Sequence, residues 1–375
     1  MRLLLDPQIF EQKFGGISRY YSEIYRYFKN NQATVIQCPM LYSENLHLQH
    51  YSLTPNYLIA FFNNRFIKKY VHKSFLYNKN KQLTSKILGR KKYSLFIPTY
   101  YDTYFLKNIK DTPFVLTVYD MIHELYPEYF LSDIITVPQK KILIEKASTI
   151  IAISENTKKD ILKFYPDTDS GKIKVIYLSH SINENNGVNS INALMNGKKY
   201  ILFVGNRYGY KNFTWFIQSI SKWLLKENIN LLCLGGFAFN ENEITLIKDL
   251  GIDKKVTQYN FEDYELAYFY QNAIAFIFPS LYEGFGIPVL EAMVCGCPVL
   301  LPATSSFPEV AGDAGIYFEI DKPTTLTGAL DRLLTDQIYK ETMILAGRKQ
   351  STLFSWSNTM EQVLSIYKEV VSLKN

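Results

Sequence analysis

Residues 273–301 constrain the fold of this chain more than any other stretch. The run 273–278 is short and wholly apolar, the pattern of a strand buried on both faces. Pro279 and Ser280 stop it. Gly284 and Gly286 follow, and glycine lets a backbone turn sharply and approach a ligand closely. Pro288 suits the first turn of a helix, where its missing N–H costs nothing. The helix runs through Leu290, Glu291, Ala292 and Met293, and Gly296 ends it. Residues 297–301 read as the next buried strand. Such a strand–loop–helix–strand unit predicts an α/β fold with a parallel sheet.

Glu283 and Glu291 bracket the loop. Between them lies a helix N-terminus, whose N–H groups make a seat for phosphate. Glu291 falls roughly 7 Å along the axis from the helix start, at about 1.5 Å per residue. There it can reach the hydroxyls of a sugar whose phosphate sits at the helix end, with Glu283 on the other side of that phosphate. The plain alternative is a strand–helix turn with two solvated glutamates.

The run Glu283-Gly284-Phe285-Gly286-Ile287-Pro288, continued by Leu290-Glu291-Ala292-Met293, resembles the retaining glycosyltransferases of family 4. The resemblance implies that Glu291 holds the nucleotide ribose and that Glu283 lies beside the transferred sugar. It implies donor contacts from Gly284, Phe285, Gly286 and Ile287 as well. Two other segments fit the same family. Gly15 and Gly16 stand between a strand candidate at 2–5 and a helix at 18–28, where the family has a Gly-Gly loop facing the donor phosphates and the acceptor. Residues 205–213 follow the strand 200–204 and place Arg207 and Lys211 four apart before a helix at 214–225. The order Gly-Lys-Ser/Thr of a P-loop is absent. Two cations at this spacing suit a diphosphate, Arg as a planar fork and Lys as a point charge. The family's Gly-x-Arg-x-x-x-Lys-Asn segment does this, on a loop expected to be exposed.

Asp120 comes at the C-terminal end of a strand at 114–118, the edge where open α/β sheets bind ligands. The family often has His-Asp here; this chain has Tyr119 before Asp120, with His123 three residues on. That departure puts in doubt any role borrowed from the histidine. Further strands are expected at 35–38, 95–98, 149–153, 174–177, 230–234 and 256–259. Tyr259 ends the last of these, and residues 260–264 are the family's usual neighbourhood for the nucleotide base. Ser154 reads as a helix N-cap. Residues 324–350 and 356–373 look helical.

Composition bounds the rest. The chain has 375 residues, 47% apolar and 20% charged, ordinary for a globular protein with two cores. No apolar run approaches the ~18 residues of a membrane span, and the start is too short for a signal peptide. The four cysteines lack metal-ligand spacing and read as reduced, buried packing residues in a cytoplasmic protein. Residues 1–180 hold 25 Lys+Arg against 15 Asp+Glu, whereas residues 181–375 hold 16 against 20. Residues 61–92 contain ten Lys+Arg and no acid, interleaved with Phe and Tyr. That mixture suits an anionic membrane surface or, less well, nucleic acid; the plain reading is a solvated helix pair.

The resemblance spans nearly the whole chain and is strongest over 200–318. It implies a glycosyltransferase-B fold, two Rossmann-like domains with parallel sheets facing across a cleft. An acceptor-binding domain is expected at 1–182, a linker at 183–198, a nucleotide-sugar-binding domain at 199–355, and a C-terminal helix at 356–375 crossing back to the first domain. The implied reaction moves a sugar with retention from a nucleotide diphosphate sugar to a hydroxyl of a glycan or lipid-linked acceptor, in surface polysaccharide synthesis. A GDP donor, mannose or a related sugar, is favoured over a UDP sugar. Glu283, Asp120, Arg207 and Lys211 are the expected catalytic residues. The two cations stand in for a divalent metal, so neither a metal nor another cofactor is expected. The place of action would be the cytoplasm, peripherally on the inner face of the membrane. A non-catalytic partner of another transferase is a second class of reading, favoured only by Tyr119. A nucleotide-sugar epimerase shares the fold, with no residue in its favour.

Overall fold

The computed structural model describes residues 1–54, 73–90, 92–182 and 197–374. These divide into two compact units, Met1–Leu178 with Trp356–Asn375, and Ser179–Ser355. The linker expected at 183–198 falls mostly outside the described residues.

The first unit has six short parallel strands. β1 (Arg2–Leu5) lies between β2 (Val35–Gln37) and β3 (Leu95–Ile97). β4 (Val115–Val118), β5 (Thr149–Ala152) and β6 (Ile173–Val175) follow in order. A parallel bridge from Phe96 to Phe114 joins the two sets, giving the order 2-1-3-4-5-6. β3 and β4 are buried along their whole length, as expected of a sheet covered on both faces. The helix Gly16–Asn30 buries Tyr20, Tyr21, Ile24 and Phe28 on one stripe. The helix Trp356–Ser372 packs there too: the Tyr367 ring stacks on Phe28 at 5.5 Å, and the Thr359 hydroxyl donates to the Tyr177 carbonyl at 2.8 Å. The end of the chain thus completes the core of its beginning.

Among the described residues of the basic segment, a helix buries one face. Phe61, Phe62, Arg65, Phe66, Lys68, Lys69 and Tyr70 lie outside the described residues. The helix Lys73–Leu88 buries Leu76, Asn80, Thr84 and Leu88 at four-residue spacing. Asn80 accepts from the Leu41 N–H and donates to the Tyr42 carbonyl, and Lys81 pairs with Asp102 at 2.8 Å.

The second unit is one six-stranded parallel sheet: β7 (Tyr200–Val204), β8 (Asn230–Leu234), β9 (Val256–Tyr259), β10 (Phe276–Ile277), β11 (Val299–Pro302) and β12 (Gly315–Phe318), in the order 12-11-10-7-8-9. The strand order reverses between β7 and β10, the switch point where such sheets bind nucleotides. β10 pairs over two residues, shorter than the apolar run 273–278. Flanking bonds extend it nonetheless, from the Ile274 N–H to the Tyr200 carbonyl and from the Phe278 N–H to the Leu300 carbonyl. The stretch expected to be helical at 324–350 is two helices, Pro323–Thr335 and Gln337–Ser351. Asp336 divides them by accepting from the Tyr339 N–H as the second helix's N-cap.

Candidate active site

In the second unit the switch point gathers most of the sequence-read residues. The loop after β10 is tied to the loop after β7 by the Leu281 N–H donating to the Tyr210 carbonyl at 2.8 Å. Across this join Lys211 Nζ meets Glu283 Oε1 at 2.6 Å, with side chains only 17% and 15% exposed. The ammonium also lies 5.2 Å from the Phe278 ring centroid. So Lys211 and Glu283, 72 residues apart, form one mostly buried ion pair.

The Glu283 backbone is fixed by β11's outgoing loop. Its N–H donates to Ser305 Oγ at 3.1 Å, and the hydroxyls of Ser305 and Ser306 both donate to its carbonyl. Ser306 also donates to the Phe285 carbonyl at 2.8 Å. Sequence reading missed this serine pair; its signal was two adjacent hydroxyls in the loop that leaves a buried strand's C-terminal edge.

The helix Ile287–Val294 starts beside the pair. Its N-cap is Gly286, at φ 103°, with no side chain capping it. A Cβ on Gly286 would stand 3.4 Å from the Phe307 ring in a backbone region that side chains rarely adopt. Gly284 is absent from the positive-φ residues, so one glycine, not two, makes the sharp turn. Ile287 and Pro288 open the helix, and Glu291 is buried one turn on. A helix N-terminus, a buried cation and a buried carboxylate within one turn can together hold an anion that carries a sugar.

Tyr259 ends β9, and its phenol donates to Glu265 at 3.1 Å. Its ring packs against Phe269 at 5.6 Å.

Arg207 departs from expectation. Its side chain is 3% exposed and pairs with Glu243 at 2.9 Å. The guanidinium also donates to the carbonyls of Gly235, Gly236, Phe237 and Ala238. All three of its nitrogens are engaged inside the protein, so the exposed Arg207 of the sequence reading is corrected to a buried anchor. Glu243, its partner, was not anticipated.

Gly15, Gly16 and Asp120 belong to the first unit. Gly15 is the N-cap of the helix beginning at Gly16, and its carbonyl accepts from the Ser18 hydroxyl at 3.0 Å. Asp120 caps the turn after β4, accepting from the Ile122 N–H at 3.1 Å. Beneath it the fully buried Lys140 donates to the Asp120 carbonyl and to Glu124 at 2.8 Å. Tyr119 is buried and its hydroxyl donates to the Thr99 carbonyl at 3.0 Å, so this phenol braces β4 against β3's outgoing loop. His123 stacks on Phe130 and faces Asp133 at 3.4 Å, and burial holds its pKa below the usual 6.5. At the first unit's own switch point, between β1 and β3, Asp6 is wholly buried. It accepts from the Tyr104 hydroxyl at 2.5 Å and from Thr99, and burial pushes its carboxyl up to about 6.

The sequence carries an Asp-x-Asp pair, Asp167 and Asp169. It lies on the turn entering β6, and Asp169 caps the Gly171 N–H at 2.8 Å. No cluster of three or more His, Cys, Asp or Glu able to hold a metal is found among the described residues. No described helix is long and apolar enough to cross a membrane. Cys233, Cys295 and Cys297 are buried and free, and Cys38 is half-buried. A groove of about 610 Å³, lined by Lys110, Pro113, Lys146, Thr149 and Lys374 among others, opens at the N-terminal ends of β4 and β5. That is the opposite edge from Asp120, and the groove offers one carboxylate, Asp111, among its cations.

Comparison with known proteins bears on the family and the fold. Residues 184–350 match the family model described as glycosyl transferases group 1. The chain is 28% identical over 266 residues to an O-antigen chain mannosyltransferase B of Escherichia coli, covering 68% of this chain and 70% of that protein. It is 29% identical over 221 residues to the O-antigen chain mannosyltransferase RfbU of Salmonella typhimurium, covering 58% and 60%. The match therefore spans less than two thirds of the second relative. A crystal structure of Anabaena HepE in complex with UDP and glucose superposes with a TM-score of 0.74 at 16% identity, over 98% of this chain and 99% of that one, which speaks for the fold. Residues 184–350 thus belong to the glycosyl transferases group 1 family, and the chain that carries them has the glycosyltransferase-B fold.

Proposed function

We propose that this glycosyltransferase moves a hexose from a nucleotide diphosphate sugar to a hydroxyl of a glycan or lipid-linked acceptor, with retention and without a metal. The Lys211–Glu283 pair beside the capless helix N-terminus carries the reading. The leaving diphosphate gathers charge as the glycosidic bond breaks. Lys211 and the N–H groups at Gly286 and Ile287 stabilise that charge, the kind of fixed electrostatics that dominates such steps. Lys211 exchanges Glu283 for the diphosphate when donor binds, which frees the Glu283 carboxylate to face the sugar. Glu291 takes the ribose hydroxyls. The leaving phosphate accepts the acceptor's proton, since no carboxylate is placed as a nucleophile.

A GDP-linked mannose or related sugar is the favoured donor, supported by the O-antigen mannosyltransferases among the relatives. A UDP sugar is the second reading, favoured by the UDP and glucose named with HepE. The setting is surface polysaccharide assembly on the inner face of the membrane, with the basic segment 61–92 against anionic lipid. A panel of GDP and UDP sugars, scored by thermal stabilisation and nucleoside diphosphate release, tests the donor site and the choice of donor. Bound donor raises stability as its concentration exceeds Kd. Stabilisation without turnover on any acceptor supports the partner-subunit reading, and neither effect refutes the donor site.

A further inference from the structure

Arg207 spends its guanidinium on a single loop. Nε meets Glu243 Oε1 at 2.9 Å, Nη1 donates to the Gly235 carbonyl at 3.1 Å, and Nη2 reaches the carbonyls of Gly236, Phe237 and Ala238 at 3.0–3.2 Å. Phe239 lies 4.6 Å and Phe213 5.8 Å from the cation. Glu243 is locked in turn, because its carboxylate also accepts from the Asn240 N–H at 2.8 Å in a capping box. A Cβ on Gly236 would stand 2.6 Å from the Gly205 carbonyl and 2.8 Å from Nη1, so only glycine fits there.

This lock holds an unusual residue. Gly235, Gly236 and Phe237 all have positive φ, 73°, 72° and 64°. A bulky side chain in that region persists only where its surroundings over-determine it, and such strain concentrates at ligand contacts. The Phe237 ring is nevertheless 74% exposed. The loop follows β8, one strand spacing of about 4.8 Å from β7, whose own loop carries Lys211. Gln258, near the end of β9, donates to the Gly235 carbonyl at 3.2 Å. The loop that presents Phe237 therefore lies at the C-terminal edge of the sheet, between the loop carrying Lys211 and the end of β9.

We propose that Arg207 and Glu243 are positioning residues that lock the β8 loop, and that Phe237, which the loop presents, is the wall on which the donor's nucleobase rests. The inference rests on the nucleotide-sugar reading above. Every nucleobase has a π-face, so such a wall serves purine and pyrimidine alike.

Calorimetric titration of the full chain with GDP, UDP and inorganic pyrophosphate tests it. Phe237→Ala alters an exposed ring and keeps the fold. It should weaken GDP and UDP at least ~5-fold, the low end for losing one base–aromatic stack, and leave pyrophosphate unchanged. Phe237→Tyr should bind as the parent does. Arg207→Lys and Glu243→Gln should each reproduce the Phe237→Ala pattern, with the double variant no worse than either single one. If breaking the pair unfolds the protein, Arg207→Met with Glu243→Leu removes both charges and serves instead. Parent-like GDP and UDP binding by Phe237→Ala overturns the inference. So does pyrophosphate binding that is lost in Arg207→Lys and kept in Glu243→Gln, because Arg207 would then touch the diphosphate. In both cases the donor reading survives if Lys211→Ala weakens all three ligands. A parent chain that binds neither nucleotide overturns the donor reading and this inference together.

Discussion

Glu283→Gln keeps the shape of the side chain and removes its charge. In the free protein this leaves Lys211 without the carboxylate 2.6 Å away. Breaking an exposed pair costs roughly 0–1 kcal/mol, and breaking a fully buried one roughly 3–5 kcal/mol. Side chains 17% and 15% exposed place this pair between those limits, so the variant should lose about 2 kcal/mol of stability. The parent must break the same pair when the diphosphate takes Lys211, and the variant need not. Its affinity for nucleoside diphosphate should therefore rise by the same free energy, about 30-fold at about 1.4 kcal/mol per decade. Turnover should meanwhile fall at least ~100-fold, as for the loss of one preorganised charge. Denaturant unfolding measures the first effect, calorimetric titration the second, and donor turnover the third. Unchanged or weaker diphosphate binding in Glu283→Gln would refute the exchange, because Glu283 would then not be competing for Lys211.

Four further outcomes are expected. Asp6 is wholly buried and its carboxyl is raised from 3.8 to about 6, so the native state holds its proton more tightly than the unfolded chain does; stability should fall by about 3 kcal/mol as pH rises from 4 through 6, and Asp6→Asn should flatten that slope in denaturant midpoints. Glu291→Gln should weaken nucleoside diphosphate binding by roughly 1.5–3 kcal/mol, the value of a charge-assisted hydrogen bond, read by the same titration. Donor turnover should continue in excess chelator; a complete loss restored by added divalent metal would remove Lys211 from its proposed role. The chain should sediment with anionic vesicles and less so at high salt, with each cation near the surface worth about 1 kcal/mol; charge reversal at Lys68, Lys69, Lys73, Arg90, Lys91 and Lys92 should release it, and equal binding to neutral vesicles would leave residues 61–92 an ordinary surface.

What was legible in the sequence followed from short-range physics. Buried parallel strands announce themselves as short apolar runs, so the expected strands of both units stand within a residue or two of their places, β10 excepted, while β12, half of whose residues are only partly buried, was not anticipated. Ser154 accepts from the Thr157 N–H as an N-cap should. The break at Asp336 was equally local, and its capping chemistry was open to reading. What the chain order hides is the distant partner. Nothing near Arg207 says that Glu243, 36 residues on, will claim its guanidinium, and a cation on a loop therefore reads as exposed. Glu283 and Lys211 each stand out in the sequence as candidates, but their mutual pairing does not. Ser305 and Ser306 meet Glu283 only because β11 lies beside β10 in the sheet.

The helix Trp356–Ser372 belongs with residues 1–178, while residues 179–355 form one uninterrupted unit. On the ribosome, the unit that begins first is therefore the one that finishes last. At roughly 5–20 residues per second, the intervening stretch takes roughly 10–35 s to synthesise. Throughout that interval the Phe28 face waits without Tyr367 to stack on it. A nascent chain paused before residue 356 holds a closed second unit and an open first one, and its apolar helix face is then the surface a chaperone would meet.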